Sequence, residues 1–306
     1  MRTPFGRPGL EPYTVYQRQA AARPGGLTAH FLGTSSLLLS DGATTLLCDG
    51  FVTRPGLMRV GLGRIAPDAG LVRAAIERLG VRSLDAVFCA HSHYDHALDA
   101  PVWCLQTGAV LVGSESTANI GRGLGLAETS LRVVGDGDTL DYGRFTLTFL
   151  DSVHSPGDRY PGVVTRPLVP PARTGAWKTG AAYSVLIEHP VGRILLHASA
   201  NHRPGMLDGR RAEVVYLGIG GLGKQSREFV RRYWDEVVGA VGARRVVLVH
   251  WDDFFVGLDR PLRPLPYFAD RFDVTMAMLL PLAQRDGVEV VLPVAWDATD
   301  PHGELD

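Results

Sequence analysis

Three imidazoles and one carboxylate fall within six consecutive positions in the stretch His91-Ser92-His93-Tyr94-Asp95-His96. Imidazole nitrogen and carboxylate oxygen without thiolate form a donor set for a borderline divalent ion, zinc first, with manganese or iron as alternatives. Structural zinc sites are usually rich in cysteine, so this set points to catalysis. The preceding run from Leu84 to Ala90 is apolar and predicts a short buried strand, placing the donors where a strand ends and ligands are commonly presented. Residues two apart face the same way, so His91 and His93 can grip one ion while Asp95 and His96 turn towards a second. A solvated His-rich turn is the bland alternative, and the density of donors argues against it.

The rest of the chain supplies the elements that must hold these donors. Short strands alternate with helical patterns, as two sheets covered by helices require. Helices are predicted over Asp68 to Leu79 with Gly80 as cap, over Ser226 to Val241, and over Phe272 to Gln284 with an interruption at Pro281. Gly113-Ser114-Glu115 reads as a capped helix start. His154 follows the strand pattern Phe145 to Leu150, and His250 follows Val246 to Val249. Asp252 and Asp253, close behind, are placed to orient a ligand histidine. His30, His189 and His197 read as ordinary histidines in strand or turn contexts.

Two loops stand out. The proline-rich run from Ser155 to Gly180 begins one residue after His154 and carries Arg159, Tyr160, Arg166, Arg173, Trp177 and Lys178. Its cations suit an anionic group and its aromatics an acyl chain; packing on a partner subunit in a homo-oligomer is the equal alternative. The glycine-rich run from Leu217 to Lys224 is neither a Walker loop nor a dinucleotide fingerprint and reads as a tight turn beside the cleft.

At 306 residues and 45% hydrophobic composition, the chain is ample for one large domain with a sizeable core. A formal net charge of −1, with no basic stripe, argues against a nucleic-acid binder. Cys48, Cys89 and Cys104 are an odd set at apolar positions and read as reduced core thiols. No apolar run suggests a signal peptide or a transmembrane segment, so a cytoplasmic location is expected. Residues 1–26 are expected to form an irregular arm, and 27–306 the domain that carries the chemistry.

Taken together, the motif, the later histidines and their order resemble the metallo-β-lactamase superfamily, whose hallmark is His-x-His-x-Asp-His after a strand. The resemblance spans roughly residues 27 to 295 and implies an α/β fold, an αββα sandwich of two mixed β-sheets flanked by helices. It implies His91, His93 and His154 as ligands of a first metal, Asp95, His96 and His250 as ligands of a second, and Asp49 as a carboxylate behind them. One departure stands out. The family's bridging aspartate has no counterpart, because Ser199-Ala200 stands where Gly-Asp is expected, leaving Ser199, Asn201 and His202 as candidate neutral replacements. Close like charges repel strongly, so the first ion should bind tightly and the second more weakly.

The implied activity is hydrolysis of an ester, lactone or phosphodiester of a small or lipid-like metabolite by a metal-bound hydroxide. Asp95 would orient the nucleophile and Tyr94 would donate to a substrate oxygen. The sequence around Asp95 looks nearest to the branch of ascorbate-phosphate lactonase-like and N-acylphosphatidylethanolamine phospholipase-like hydrolases. A sensor or scaffold that binds metal with little catalysis is the alternative from another class, and a redox di-iron protein is a third.

Overall fold

A computed structural model describes residues 3–305. The first sheet comprises Thr28–Phe31 (β1), Leu37–Ser40 (β2), Thr45–Cys48 (β3), Ala86–Phe88 (β4), Val110–Gly113 (β5) and Leu131–Val133 (β6). The second comprises Thr139–Tyr142 (β7), Phe145–Ser152 (β8), Ala182–His189 (β9), Gly192–His197 (β10), Val214–Gly218 (β11), Arg245–Val249 (β12) and Glu289–Val291 (β13). The last strand, Ala298–Thr299 (β14), returns to the first sheet beside β1, giving each sheet seven strands. Both sheets run through antiparallel pairs and then parallel ones: β14 to β3 and β7 to β10 are antiparallel, and the remaining strands parallel.

Strand alternation sorts the apolar side chains into three layers. Leu37, Leu39, Phe88, Ile194, Leu196, Val247 and Val249 face inward and form the seam between the sheets. Their neighbours Leu195, Val246 and Leu248 face outward, towards Arg227–Trp234 (a helix that continues through a π turn at Asp235–Gly239) and Phe272–Asp286. Leu38, Leu47 and Val87 meet the helices Ala69–Leu79, Ala100–Thr107 and Glu115–Gly123 on the opposite outer face. Two mixed sheets flanked by helices are thus observed as expected.

Local signals placed the helix ends well. Asp68 caps Ala69–Leu79 by accepting from Gly70 and Leu71 backbone N–H, and Gly80 ends it in the left-handed region. Pro281 does not interrupt the last helix, which runs on to Asp286. Pro281 and Ala277, one turn before it, both face solvent, so water can take up the carbonyl that loses its partner while the buried Met278, Leu279 and Ala283 hold the helix on the sheet.

The N-terminal segment lies on the second outer layer over residues 10–16 and then bridges through Ala21 to Thr299 at the edge of the first sheet. A 3-10 helix at Glu11–Gln17 brings Leu10, Tyr13 and Tyr16 against that layer's core, and Arg7 Nη1 reaches Asp253 Oδ2 at 2.6 Å. The three cysteines are buried free thiols. Among the described residues, no helix is long and apolar enough to cross a membrane.

Candidate metal centre

β4 ends at Phe88, and the chain that follows is pinned on both sides. Ala90 N–H donates to Asp49 Oδ1 (3.0 Å) and Ser92 N–H to Thr179 O (2.9 Å), while Ala90 O accepts from Tyr183 N (2.8 Å). The backbone then winds into a single helical turn at Tyr94–Ala97, with His93 as its N-terminal cap residue. That turn separates the donors. His91 and His93 stay on the strand side with His154, which follows β8, whereas Asp95 and His96 swing towards His250, which follows β12.

Two triplets result, His91/His93/His154 and Asp95/His96/His250, with the donor atoms in each within 4.8 Å of one another. Ring centroids in the first triplet are 4.7 to 4.9 Å apart, and His91 sits 3.8 Å from His96, so the triplets adjoin. Either triplet can hold a divalent ion. In the second, Asp95 Oδ2 lies 3.3 Å from His250 Nε2 and 3.7 Å from His96 Nε2.

The electrostatics favour bare nitrogen donors. Burial, reinforced by the neighbouring imidazoles, holds the His91 pKa well below its ordinary value, and burial followed by His93 brings His154 to about 4. Burial alone would raise Asp95, but His96 and His250 hold its carboxyl well below the usual range, so it is ionised. His96 goes the other way: burial opposes charging, and the carboxylates of Asp49 and Asp95 outweigh it. Asp49 Oδ2 accepts from His96 Nδ1 (2.8 Å) and from Ser35 Oγ (2.6 Å), leaving His96 Nε2 free. Buried nitrogens without hydrogen-bond partners collect here, namely both nitrogens of His91, His96 Nε2 and His250 Nδ1. Such atoms are rare in folded proteins and point to something that binds them.

The loops that carry these groups adopt unusual backbone. Thr34, Asp49, Arg54 and His250 have φ of 53°, 57°, 43° and 61°, a left-handed region that non-glycine residues seldom enter. A buried network holds Thr34, Arg54 and His250 there. Arg54 and Asp252 form a fully buried ion pair at 2.8 Å, Asp252 Oδ1 accepts from Thr34 N (2.7 Å), and Thr34 O accepts from His250 N (2.5 Å). Asp252 therefore places His250 through Thr34 rather than through the imidazole, and Asp253 is taken up by Arg7 and Arg263.

Several residues singled out in the sequence are found elsewhere. Trp177 is completely buried against the first outer layer and offers no surface to a substrate. Tyr94 packs edge-on against Phe51 with 7% of its surface exposed. Lys178 contributes its backbone carbonyl, which accepts from Ser92 Oγ at 2.6 Å. Arg159 is exposed, and Tyr160 meets His93 edge-on at 6.3 Å, as Phe254 meets His250 at 5.5 Å.

The Ser199–His202 turn also sorts itself. Asn201 is engaged through both side-chain polar atoms, its Nδ2 donating to His154 O (2.8 Å) and its Oδ1 accepting from His202 N (2.9 Å), and His202 rests on Phe229 and Tyr233. Ala200 points into the apolar outer layer with Leu195 and Leu217. Ser199 Oγ is buried without a partner.

The loop from Ser155 to Gly180 is a seated strap rather than a free excursion. Asn119 Nδ2 donates to Val164 O (2.8 Å), Leu168 N to Asn119 O (3.0 Å), and Ile65 and Ala172 exchange backbone hydrogen bonds. The glycine-rich run from Leu217 to Lys224 packs against His250 through Gly220 and against Arg271 through Gly223, where a Cβ would meet the neighbouring backbone. Its glycines serve packing beside the centre. Residues not foreseen from sequence are Ser35, Asp158 and Thr179, whose only signal is polarity within loops.

The family model described as metallo-beta-lactamase superfamily matches residues 32–239. The chain belongs to this superfamily. Solved structures to which it is similar include Igni18, a novel metallo hydrolase from the hyperthermophilic archaeon Ignicoccus hospitalis (12% identity, TM-score 0.56, covering 89% of this chain and 97% of that one). Isothiocyanate hydrolase from Delia radicum gut bacteria shares 14% identity at TM-score 0.53, covering 89% and 98%. CmlA, a diiron beta-hydroxylase from Streptomyces venezuelae, shares 16% identity at TM-score 0.55, covering 88% of this chain and 53% of that one. At these identities the likeness is one of fold. No curated protein sequence matches the chain significantly.

Proposed function

We propose that this metallo-β-lactamase superfamily member is a metal-dependent hydrolase of an ester, lactone or phosphodiester bond in a small or lipid-like metabolite. His91, His93 and His154 hold one ion; Asp95, His96 and His250 hold a second. The observation that carries the reading is His91, a buried imidazole with neither nitrogen partnered, standing where one triplet of donors adjoins the other. Leaving such a group unsatisfied costs about 1–3 kcal/mol, and the donor set suits zinc, with manganese or iron as alternatives.

Divalent ions bound there would supply a water of lowered pKa and polarise the oxygen of the scissile bond. The chain does the rest. Asp95 is ionised and aims Oδ2 at His250 and His96, leaving Oδ1 to accept from a water and orient it. Tyr160 and Phe254 flank the donors as aromatic walls, and the exposed Arg159 suits an anionic substrate group. Ser199-Ala200 brings no carboxylate, so Asp95 is the sole acidic donor among the six and the second ion binds more weakly.

That same lack of a second carboxylate favours one further reading, a metal-binding sensor or scaffold with little turnover. Elemental analysis combined with hydrolysis of generic ester, lactone and phosphodiester reporters separates the two. Stoichiometric metal with metal-dependent hydrolysis is expected. Metal without turnover supports the sensor, iron with redox activity supports a di-iron protein, and a protein that takes up no metal refutes the proposal.

A further inference from the structure

We propose that Asp158 and Thr179, two residues of the strap between β8 and β9, fix which nitrogen of His93 is presented to the first ion. The inference rests on the metal-site reading above.

Two oxygens crowd His93 Nε2. Thr179 Oγ1 lies 3.1 Å from Nε2 and Asp158 Oδ1 lies 3.3 Å from it, while Thr179 Oγ1 also donates to Asp158 Oδ2 and lies 3.2 Å from Tyr160 O. A threonine hydroxyl has one proton. Its two oxygen partners, a carboxylate and a backbone carbonyl, only accept, and a bond to an ionised carboxylate is the stronger choice. Towards His93 the hydroxyl can therefore offer only a lone pair, and Asp158 Oδ1 offers another. A bare Nε2 would face two acceptors, so the neutral ring carries its proton on Nε2 and leaves the Nδ1 lone pair free for metal.

The pair is itself held rigidly. Asp158 Oδ1 accepts from Tyr160 N (2.9 Å), Thr179 N donates to Tyr160 O (3.0 Å), and Thr179 O accepts from Ser92 N in the motif loop (2.9 Å). Asp158 Oδ2 also stands 3.9 Å from His154 Nδ1, a nitrogen within hydrogen-bond reach of Ser155 O (3.0 Å). One carboxylate thus lies behind two histidines of a triplet that has no acidic donor of its own. The other triplet has the same arrangement, with Asp49 and Ser35 behind His96. Asp158 is a positioning residue: it sets ring orientation and raises ligand basicity from outside the donor shell.

Two measurements test this on the full chain. Long-range nitrogen–proton correlation spectra of chelator-treated, ¹⁵N-histidine-labelled protein should show His93 as the Nε2–H tautomer, with Asp158→Asn shifting it towards Nδ1–H. Zinc affinity, read by competition with a chromophoric chelator, should fall about 10–100-fold at the first site in Asp158→Asn and in Thr179→Val. The second site should move by less than about threefold, and Thr179→Ser, which keeps the hydroxyl, should stay near wild type. A wild-type His93 found as Nδ1–H overturns the proposal, as does a folded Asp158→Asn protein with unchanged first-site affinity. Should the variants fail to fold, the wild-type spectrum alone decides. Wild-type protein that binds no zinc would refute the metal-site reading, and the tautomer measurement would still judge the role of the pair.

Discussion

Replacing Asp252 by asparagine isolates one charge in the buried network beneath the second triplet. Arg54 and Asp252 are both fully buried and meet at 2.8 Å, and among the described residues the other partners of the guanidinium are the carbonyls of Leu32 (3.1 Å) and Val256 (3.4 Å). No space is left for rearrangement: a Cβ at Gly33 would stand 1.7 Å from Arg54 Nη2. Asparagine preserves shape and the Oδ1 acceptor for Thr34 N, so what is lost is the negative charge. Breaking a buried pair and stranding its partner typically costs 3–5 kcal/mol, so about 4 kcal/mol is expected. At about 2.1 cal/mol/K per residue this amounts to roughly a 6 °C fall in Tm for the metal-free protein. Urea denaturation of chelator-treated protein reads the same loss as a lower midpoint at unchanged slope. Arg54→Met combined with Asp252→Asn removes the stranded cation and should recover at least half of it. A single variant within about 1 kcal/mol of wild type would refute the claim that this pair holds the loop.

Other outcomes follow from the same structure. Ala200→Asp, which would restore a carboxylate near the position where the family has one, should destabilise by about 3 kcal/mol or more without tightening either ion, because Ala200 faces the apolar layer; tighter second-site zinc in a stable variant would contradict that placement. His197 is buried, with Nδ1 on Ser184 Oγ and Nε2 on Asn201 O, and burial brings it to about 4. Its folded pKa lies below the unfolded value of about 6.5, so the unfolded state binds more protons between them, and about 3 kcal/mol of stability should be lost as pH falls from 6.5 to 4. His197→Gln should flatten that part of a stability-against-pH curve, and an unaltered slope would show that His197 is not its source. His91→Ala should empty the first site and His250→Ala mainly the second, by elemental analysis after zinc loading; full occupancy in both would contradict the ligand triplets.

How much was legible in the sequence depended on how local the cause was. The donor-rich motif, the strand before it and the capped helices are specified by neighbouring residues, and they fell where expected. The helix over Phe272–Asp286 ran through Pro281 because the cost of the proline is paid on its wet face while the buried face holds. Trp177 looked like a substrate aromatic because its loop is polar and proline-rich, yet the strap folds it inward onto helices more than fifty residues away in sequence. The turn after β10 carries no local sign of which way Ala200 faces. Strand alternation would set Ala200 opposite Leu195, yet the turn beyond His197 breaks the alternation and brings Ala200 into the same outer layer. Asp158 and Thr179 carried no signal because their meaning arises only when the strap crosses His93.

The order of the donors along the chain has a consequence for assembly. His91, His93, Asp95 and His96 arrive with the first sheet, whereas His154 and His250 arrive with the second, and neither half of the polypeptide contains a complete triplet. An ion can therefore be gripped fully only after the halves have docked face to face. A coloured divalent probe such as cobalt, added during refolding, would act as a clock for that docking, with tetrahedral absorption appearing after backbone structure in each sheet has formed. Ions held there would act as rivets across the sandwich, so that in thermal unfolding the separation of the two sheets should be coupled to metal release.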